Sequence, residues 1–401
     1  MKKPIVLSMA FLLVFFSTAS MAREAASDDE KGYQFTEVKV IPHTPVKNQY
    51  RSSTCWSFSG IGMLEAELIR QGKEEYDLSE MFIVRNAYSD KAEKYVRLHG
   101  NLNMAGGGGF SDDLYVMKNY GLVPEEVYKG KVIGEENHVH AEMDHVFKSY
   151  TDAVIENKNR KLSPVWHDGF ESLLDSYLGD YPESFEFDGK TYTPRSFEEE
   201  LDLNPDDYME ITSFSHVPFY ESFIMQIPDN WLWSETMNVP LEEMMEIIDY
   251  AVESGYTVAW GADISDKGFS WKNGVAIIPD TGIEDLSGTE KERWEELTPS
   301  ERKKAMYSFE EIVPEKMITQ EMRQKAYDNY ETTDDHGMLI VGKAHDQQGN
   351  EYYKVKNSWG TEDHIYEGYI YVSKPYIAYK TMNFMVNKAG IPKHLRKKLG
   401  I

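Results

Sequence analysis

The chain has a single cysteine, Cys55, among its 401 residues. No intramolecular disulfide is possible, so packing and polar contacts alone must hold the fold. Basic residues are scarce beside acidic ones, 42 Lys and Arg against 68 Asp and Glu, for a formal net charge of −26. A surface that acidic repels phosphate backbones and makes nucleic acid a poor partner. No long apolar run follows the first residues, which excludes an integral membrane protein. Internal repeats and low-complexity tracts are missing as well, so the length is read as two average domains or one elaborated one.

What is present begins with "MKKPIVLSMAFLLVFFSTASMAREA": Lys2 and Lys3, an apolar run from Ile5 to Phe16, then small residues ending in Ser20-Met21-Ala22. This is the pattern of a secretory signal peptide over residues 1–22, cut after Ala22. The apolar core is too short to span a bilayer, so no stable membrane anchor remains after removal. Loss of Lys2 and Lys3 takes the charge from −26 to −28. The mature chain is expected to be exported, periplasmic or secreted. A lone thiol in an oxidising compartment is exposed to oxidation and mixed disulfides, so Cys55 is either a buried small hydrophobe or a residue with a task.

The charged stretch "REAASDDEKGY" precedes an alternating segment, "FTEVKVIPHTPVKNQ", that reads as a short strand broken by Pro42 and Pro45. After Cys55, the positions Trp56, Phe58, Ile61, Met63, Leu64 and Leu68 make one buried helical face that ends at Gly72. Cys55 therefore sits at a helix N-terminus. Further helices are expected in "LSEMFIVRNAYSDKAEKYVRL", after the glycines 106–109, and in "PLEEMMEIIDYAVESG", followed by a strand, "YTVAWGAD". Residues 130–235 read as polar and helical in places with little strand character, and 265–335 as charged helix or loop. Three alternating runs, "HGMLIVGKA", "EYYKVKNSW" and "EGYIYVSKP", predict antiparallel strands of one sheet.

A thiol peptidase needs a thiolate, a base, a group that orients the base, and donors for the oxyanion. A helix N-terminus lowers a cysteine's pKa, and a facing imidazolium lowers it further. Gln49, six residues before Cys55, can offer its amide to an oxyanion beside the Cys55 N–H. His336 opens an apolar strand whose end can face a cleft. Asn357 ends the next strand of the same hairpin and can fix the imidazole's tautomer, with Trp359 shielding that bond from water.

In this order, "Q-Y-R-S-S-T-C-W-S-F", "D-H-G-M-L-I-V-G" and "K-N-S-W-G" resemble the papain superfamily of cysteine peptidases. The Cys-Gly pair of the papain pattern is replaced by Ser53-Thr54. The interval from Cys55 to His336 also far exceeds the family's usual 130 to 150 or so residues. That excess, with "GGGGFSDDLYVMKNYGLVPEEVY" and "YTPRSFEEELDLNPDDYMEI", is similar to the bleomycin hydrolase or aminopeptidase C branch.

The resemblance implies an α+β fold with a papain-like two-lobed core and long helical insertions. One peptidase domain would span 23–401, with a helical lobe over about 45–130 and an insertion over about 130–235. A sheet-rich lobe would cover about 240–387, interrupted over about 265–330, and be followed by a basic tail at 388–401. It implies a peptide substrate, no cofactor or metal, a homo-oligomer (a hexamer in the branch), and aminopeptidase activity. Cys55, His336, Asn357 and Gln49 would be catalytic, and Gly107, Gly108, Gly109, Asp335 and Trp359 would line the substrate site. In the branch, a C-terminal arm blocks the cleft and its carboxylate captures the peptide's amine. Here the ending "NKAGIPKHLRKKLGI" is basic and departs from that pattern. Endopeptidase activity on the same site, or a catalytically silent binding protein, are the alternatives.

The glycines 106–109 lack the Gly-Lys-Ser/Thr of a phosphate loop. "HVHAEMDH" offers His138, His140, Glu142 and His145 as a zinc cluster, but on a helix His138 and His145 share a face while His140 points elsewhere, and a solvated helix is the expectation. "DISDKGFSWKNG" lacks the final Glu of a calcium loop and reads as turn chemistry. The basic tail is expected to dock on the protein's own acidic surface.

Overall fold

A computed structural model of the chain describes residues 32–280, 282 and 295–401. The expected signal peptide at 1–22 lies outside the described residues. The described helices are α1 (Cys55–Arg70), α2 (Glu80–Arg97), α3 (Phe110–Tyr120), α4 (Ala141–Ile155), α5 (Trp166–Leu178) and α6 (Pro194–Leu201). They continue with α7 (Leu241–Glu253), α8 (Pro299–Met306), α9 (Gln320–Asp328), α10 (Lys374–Lys380) and α11 (Lys393–Leu399). The strands are β1 (Phe35–Val40), β2 (Phe185–Phe187), β3 (Lys190–Tyr192), β4 (Tyr208–Thr212), β5 (Ser222–Ile224), β6 (Glu235–Asn238) and β7 (Val258–Ala262). After them come β8 (Phe269–Ser270), β9 (Val275–Ala276), β10 (His336–Asp346), β11 (Glu351–Lys356), β12 (Tyr369–Ser373) and β13 (Thr381–Asn387).

One large, mostly antiparallel sheet runs β5-β6-β4-β13-β7-β10-β11-β12-β9-β8, with β1 also paired to β10. Strand β10 is long enough to hold β7 at its start, where His336 faces Ala262, and β1 at its end, where Phe35 faces Asp346. Side chains of a strand alternate between faces, and β10 shows what that does here. Leu339 and Val341 join the core beneath α1–α3, whereas Met338 and Ile340 join the core beneath α7. A strand covered on both faces must be apolar throughout, which accounts for the run "GMLIV". Helix α1 packs on β10 and is buried from Trp56 to Leu68. Each large apolar side chain so buried stabilises by about 1.5–3 kcal/mol, and this anchorage fixes the residue at the start of α1.

The helices and strands expected around Cys55, at 240–262 and at 336–373 are present. The stretch 130–235 differs: besides α4–α6 it supplies β2–β6, and β4 pairs with β13 to extend the main sheet. These strands are three to five residues long and carry buried polar residues such as Glu210 and Thr236. Only β4 pairs with the distant β13, about 175 residues away in sequence; β6 pairs with β4, β5 with β6, and β2 with β3, and strands this short show little alternation of their own.

The tail packs where its charge predicts. Ile391 and Leu395 are buried in the core with α7, Lys398 Nζ lies 2.5 Å from Glu243, and His394 lies 3.4 Å from Glu246. Residues 388–401 therefore cover α7 and line no part of the cleft described next.

Candidate active site

Cys55 is the first residue of α1, so its backbone N–H has no intrahelical acceptor. The loop before it is turned twice through left-handed backbone, at Tyr50 (φ 49°) and Ser53 (φ 57°). Non-glycine residues held there cost about 1–3 kcal/mol each, so the surroundings must impose the conformation. They do: Arg51 N donates to His138 O (3.0 Å), His140 N donates to Arg51 O (3.1 Å), and Gln49 N donates to Ser358 O (2.8 Å). The expectation of a solvated histidine helix fails here. His138 and His140 precede α4 and are buried against this loop, while His145 and Glu142 are exposed on the helix. No group of three or more His, Cys, Asp or Glu among the described residues could hold a metal.

His336 opens β10 and is buried. Its Nε2 lies 2.7 Å from Asn357 Oδ1, which also accepts the Ser358 N–H at 2.8 Å. An oxygen already facing one donor fixes the amide's orientation, so Nε2 carries the proton and Nδ1 is left basic. Trp359 lies against the imidazole, ring centroids 4.9 Å apart, and Trp271 packs on Trp359 at 5.0 Å. Burial lowers His336 to about 4, opposed by the Asn357 hydrogen bond. Burial likewise pushes the Cys55 thiol up to about 12, opposed by the backbone N–H of Gly337 and reinforced by the negative charge of Asp334. Both shifts have burial as their largest cause, and both disfavour the charged form of the group.

The Ser358 hydroxyl donates to Gln49 Oε1 at 2.5 Å, which leaves the amide nitrogen of Gln49 for the cleft. An Asn48–Trp359 bridge and a Gly360 N–H to Lys47 O bond at 3.1 Å tie the same two segments. Ser358 thus joins the oxyanion side to the imidazole side, a role not visible in the motif alone.

The glycine loop is pinned by the Trp56 indole N–H to Gly106 O (3.0 Å) and by the ammonium of Lys91 to Ala105 O (2.9 Å) and Gly107 O (2.5 Å). A Cβ on Gly107 would stand 2.0 Å from Asp229, and one on Gly108 would stand 2.8 Å from the Trp56 ring. Close packing inside the protein, as well as access for a ligand, requires glycine at these two positions.

One cleft of about 520 Å³ is lined by Gln49, Cys55, His336 and Trp359, by Gly107–Gly109, and by the exposed Asp335. Asn357 stands behind His336 rather than in the cleft. Sequence reasoning missed Asp144, Asp229 and Asp334, which line the same cleft. Asp334 adjoins the Asp335-His336 pair and could have been noticed, and Asp144 lies within "HVHAEMDH" without being singled out there, whereas nothing near Asp229 in sequence points to it. The calcium-like segment is turn chemistry: Asp263 accepts the Ser265 N–H (2.8 Å), and Asp266 accepts the Gly268 N–H (2.7 Å).

A thiol at the start of a buried helix, facing an imidazole that leads a long strand, defines the papain-like arrangement. Family comparison agrees from both ends: residues 34–167 match "Papain family cysteine protease" and 300–400 match "Peptidase C1-like family". The chain belongs to the papain superfamily of cysteine peptidases.

Among individual relatives, it is 35% identical to human cathepsin L2 over 92 residues, 23% of this chain and 25% of that protein. It is 35% identical to procathepsin L of Felis catus over 101 residues, 25% of this chain and 24% of that protein. The chain therefore spans about a quarter of the length of these curated relatives. The crystal structure of PepW from Lactobacillus rhamnosis has the same fold, with a TM-score of 0.65 at 17% identity, over 91% of this chain and 84% of that one.

Proposed function

We propose that this protein is a peptidase in which Cys55 is the nucleophile, His336 the general base and acid, Asn357 the residue that positions His336, and Gln49 an oxyanion donor. The observation that carries the reading is the His336–Asn357 hydrogen bond of 2.7 Å at a cleft shared with Cys55. Cys55 Sγ attacks the scissile carbonyl carbon while its proton passes to His336 Nδ1. The carbonyl oxygen takes up the electron pair and is held by the Gln49 amide and the Cys55 N–H. Collapse expels the amine, which takes the proton from Nδ1 and leaves a thioester on Cys55. Water, deprotonated by His336, hydrolyses that thioester and restores the thiol.

The finer reading is an aminopeptidase of the bleomycin hydrolase type, supported by the segments quoted from the sequence. In that branch a C-terminal arm in the cleft anchors the amine; the described residues 388–401 pack on α7 instead and do not line the cleft. Amine selection would need another anion. Export to the periplasm or medium, and assembly into a homo-oligomer, belong to the same proposal. Iodoacetamide tests the core of it: stoichiometric alkylation of Cys55 should abolish hydrolysis of fluorogenic peptides. Full turnover by completely alkylated protein contradicts it.

A further inference from the structure

The cleft holds four carboxylates, Asp144, Asp229, Asp334 and Asp335, and Arg51 is the one Lys or Arg among its described lining residues. Three of the four are engaged by the protein itself. Asp335 accepts the N–H groups of Ile264 (3.2 Å) and Ser265 (3.1 Å) and the Thr333 hydroxyl (2.8 Å). Asp229 accepts from the Asn103 amide at 2.7 Å, and Asp144 accepts from the Tyr88 hydroxyl. The ammonium of Lys91 attracts Asp144 and Asp229 as well as Asp112.

Asp334 is different. Neither a hydrogen-bond donor nor a cation figures in its surroundings, which are burial and the like charges of Asp229, Asp335 and Glu210. Those influences together push its carboxyl up to about 7. Asp334 is half-buried, lines the cleft and has no hydrogen-bond donor, so its carboxylate is open to a ligand cation. Asp334 stands two residues before His336, and its charge acts on the Cys55 thiol. Whatever cation meets it lies close to the bond that Cys55 would attack.

We propose that Asp334, backed by Asp229, is a specificity-determining anion that selects peptides bearing a cationic group beside the scissile bond. The inference rests on the peptidase reading above. It also supplies an anion for amine selection that residues 388–401, packed on α7, do not. The shared chemistry is an ammonium or guanidinium, and it has two sources: a free α-amine, or a Lys or Arg side chain.

Three fluorogenic peptides separate these sources: an N-acetylated neutral peptide, the same peptide with Lys or Arg before the scissile bond, and the neutral peptide with a free α-amine. Wild type should favour one of the cationic substrates over the neutral acetylated one by at least about tenfold in kcat/KM, and the favoured arm names the source. Asp334→Asn, and Asp334→Ser as a second variant, should lower that ratio by about tenfold. Because the readout is a ratio within one preparation, loss of folded protein does not imitate it. A ratio unchanged in both variants, or no cationic preference in wild type, overturns the proposal while leaving Cys55-dependent turnover of the neutral peptide to support the peptidase reading. No turnover of any of the three by wild type overturns both.

Discussion

Asn357 Oδ1 accepts from His336 Nε2 at 2.7 Å and from its own neighbour's N–H, Ser358, at 2.8 Å. Both bonds fall on the one amide oxygen, which fixes the amide's orientation, and the imidazole presents Nδ1 to the cleft. Loss of a general base costs about 10²–10⁴ in rate, so His336→Ala should lower kcat by that amount. Asn357→Ala should lower kcat with a smaller effect on KM, because Asn357 lies behind the cleft rather than in it. A KM change with kcat intact contradicts the positioning role, and steady-state kinetics on one peptide decides it.

Gln49 is set by two bonds to Ser358, one from its backbone and one to its side-chain oxygen. Removing one oxyanion donor costs about 10²–10³ in kcat. Gln49→Ala should show that loss, and Ser358→Ala a lesser one through misplacement of the amide. An unchanged kcat in Gln49→Ala would mean that the oxyanion is held elsewhere.

The tail is predicted to stabilise and not to select. Leu395 is buried against α7, so Leu395→Ala should destabilise by about 2–5 kcal/mol. The ratio of rates on free-amine and acetylated peptides should be the same in that variant as in wild type. A changed ratio at equal folded fraction, measured beside a urea unfolding curve, would place the tail's influence in the cleft.

Buried histidines give the stability a signed pH dependence. Burial lowers His138 from 6.5 to about 3 and His140 from 6.5 to about 4. As pH falls below 6.5 the unfolded chain binds protons that the folded chain refuses, so both residues reduce stability progressively down to about pH 4. Burial raises Asp112 and Glu315 to about 7, and these act in the opposite sense, adding stability as pH falls from 7 towards 4. Replacing both histidines by Gln keeps the second effect and removes the first. The Tm of His138→Gln/His140→Gln relative to wild type should therefore rise as pH drops from 6.5 to 4. A difference that stays constant over that range contradicts the assignment.

Much of the site was legible because its chemistry sits at element ends that local pattern marks. Cys55 precedes an apolar helical face, and His336 precedes an alternating strand, so both the helix and the hairpin could be placed from residues within reach of each other. Gln49 and Trp359 followed from spacing within those same segments, whereas the three glycines came from the family resemblance. What pattern could not show was pairing across distance. Strand β4 pairs with the distant β13 and carries β6 and β5 beside it, and Asp229 lies where a side chain on Gly107 would be. His138 and His140 look like surface residues in "HVHAEMDH", yet they are buried because their backbone pairs with the turn at Arg51. The direction of the tail was legible from charge alone, since a basic segment on so acidic a protein finds Glu243 and Glu246.

The most direct measurement is hydrolysis of a fluorogenic peptide by wild type and by Cys55→Ala, purified alike and checked for equal folded content. The account predicts turnover by wild type and none above background by the variant. Turnover retained in Cys55→Ala would contradict it.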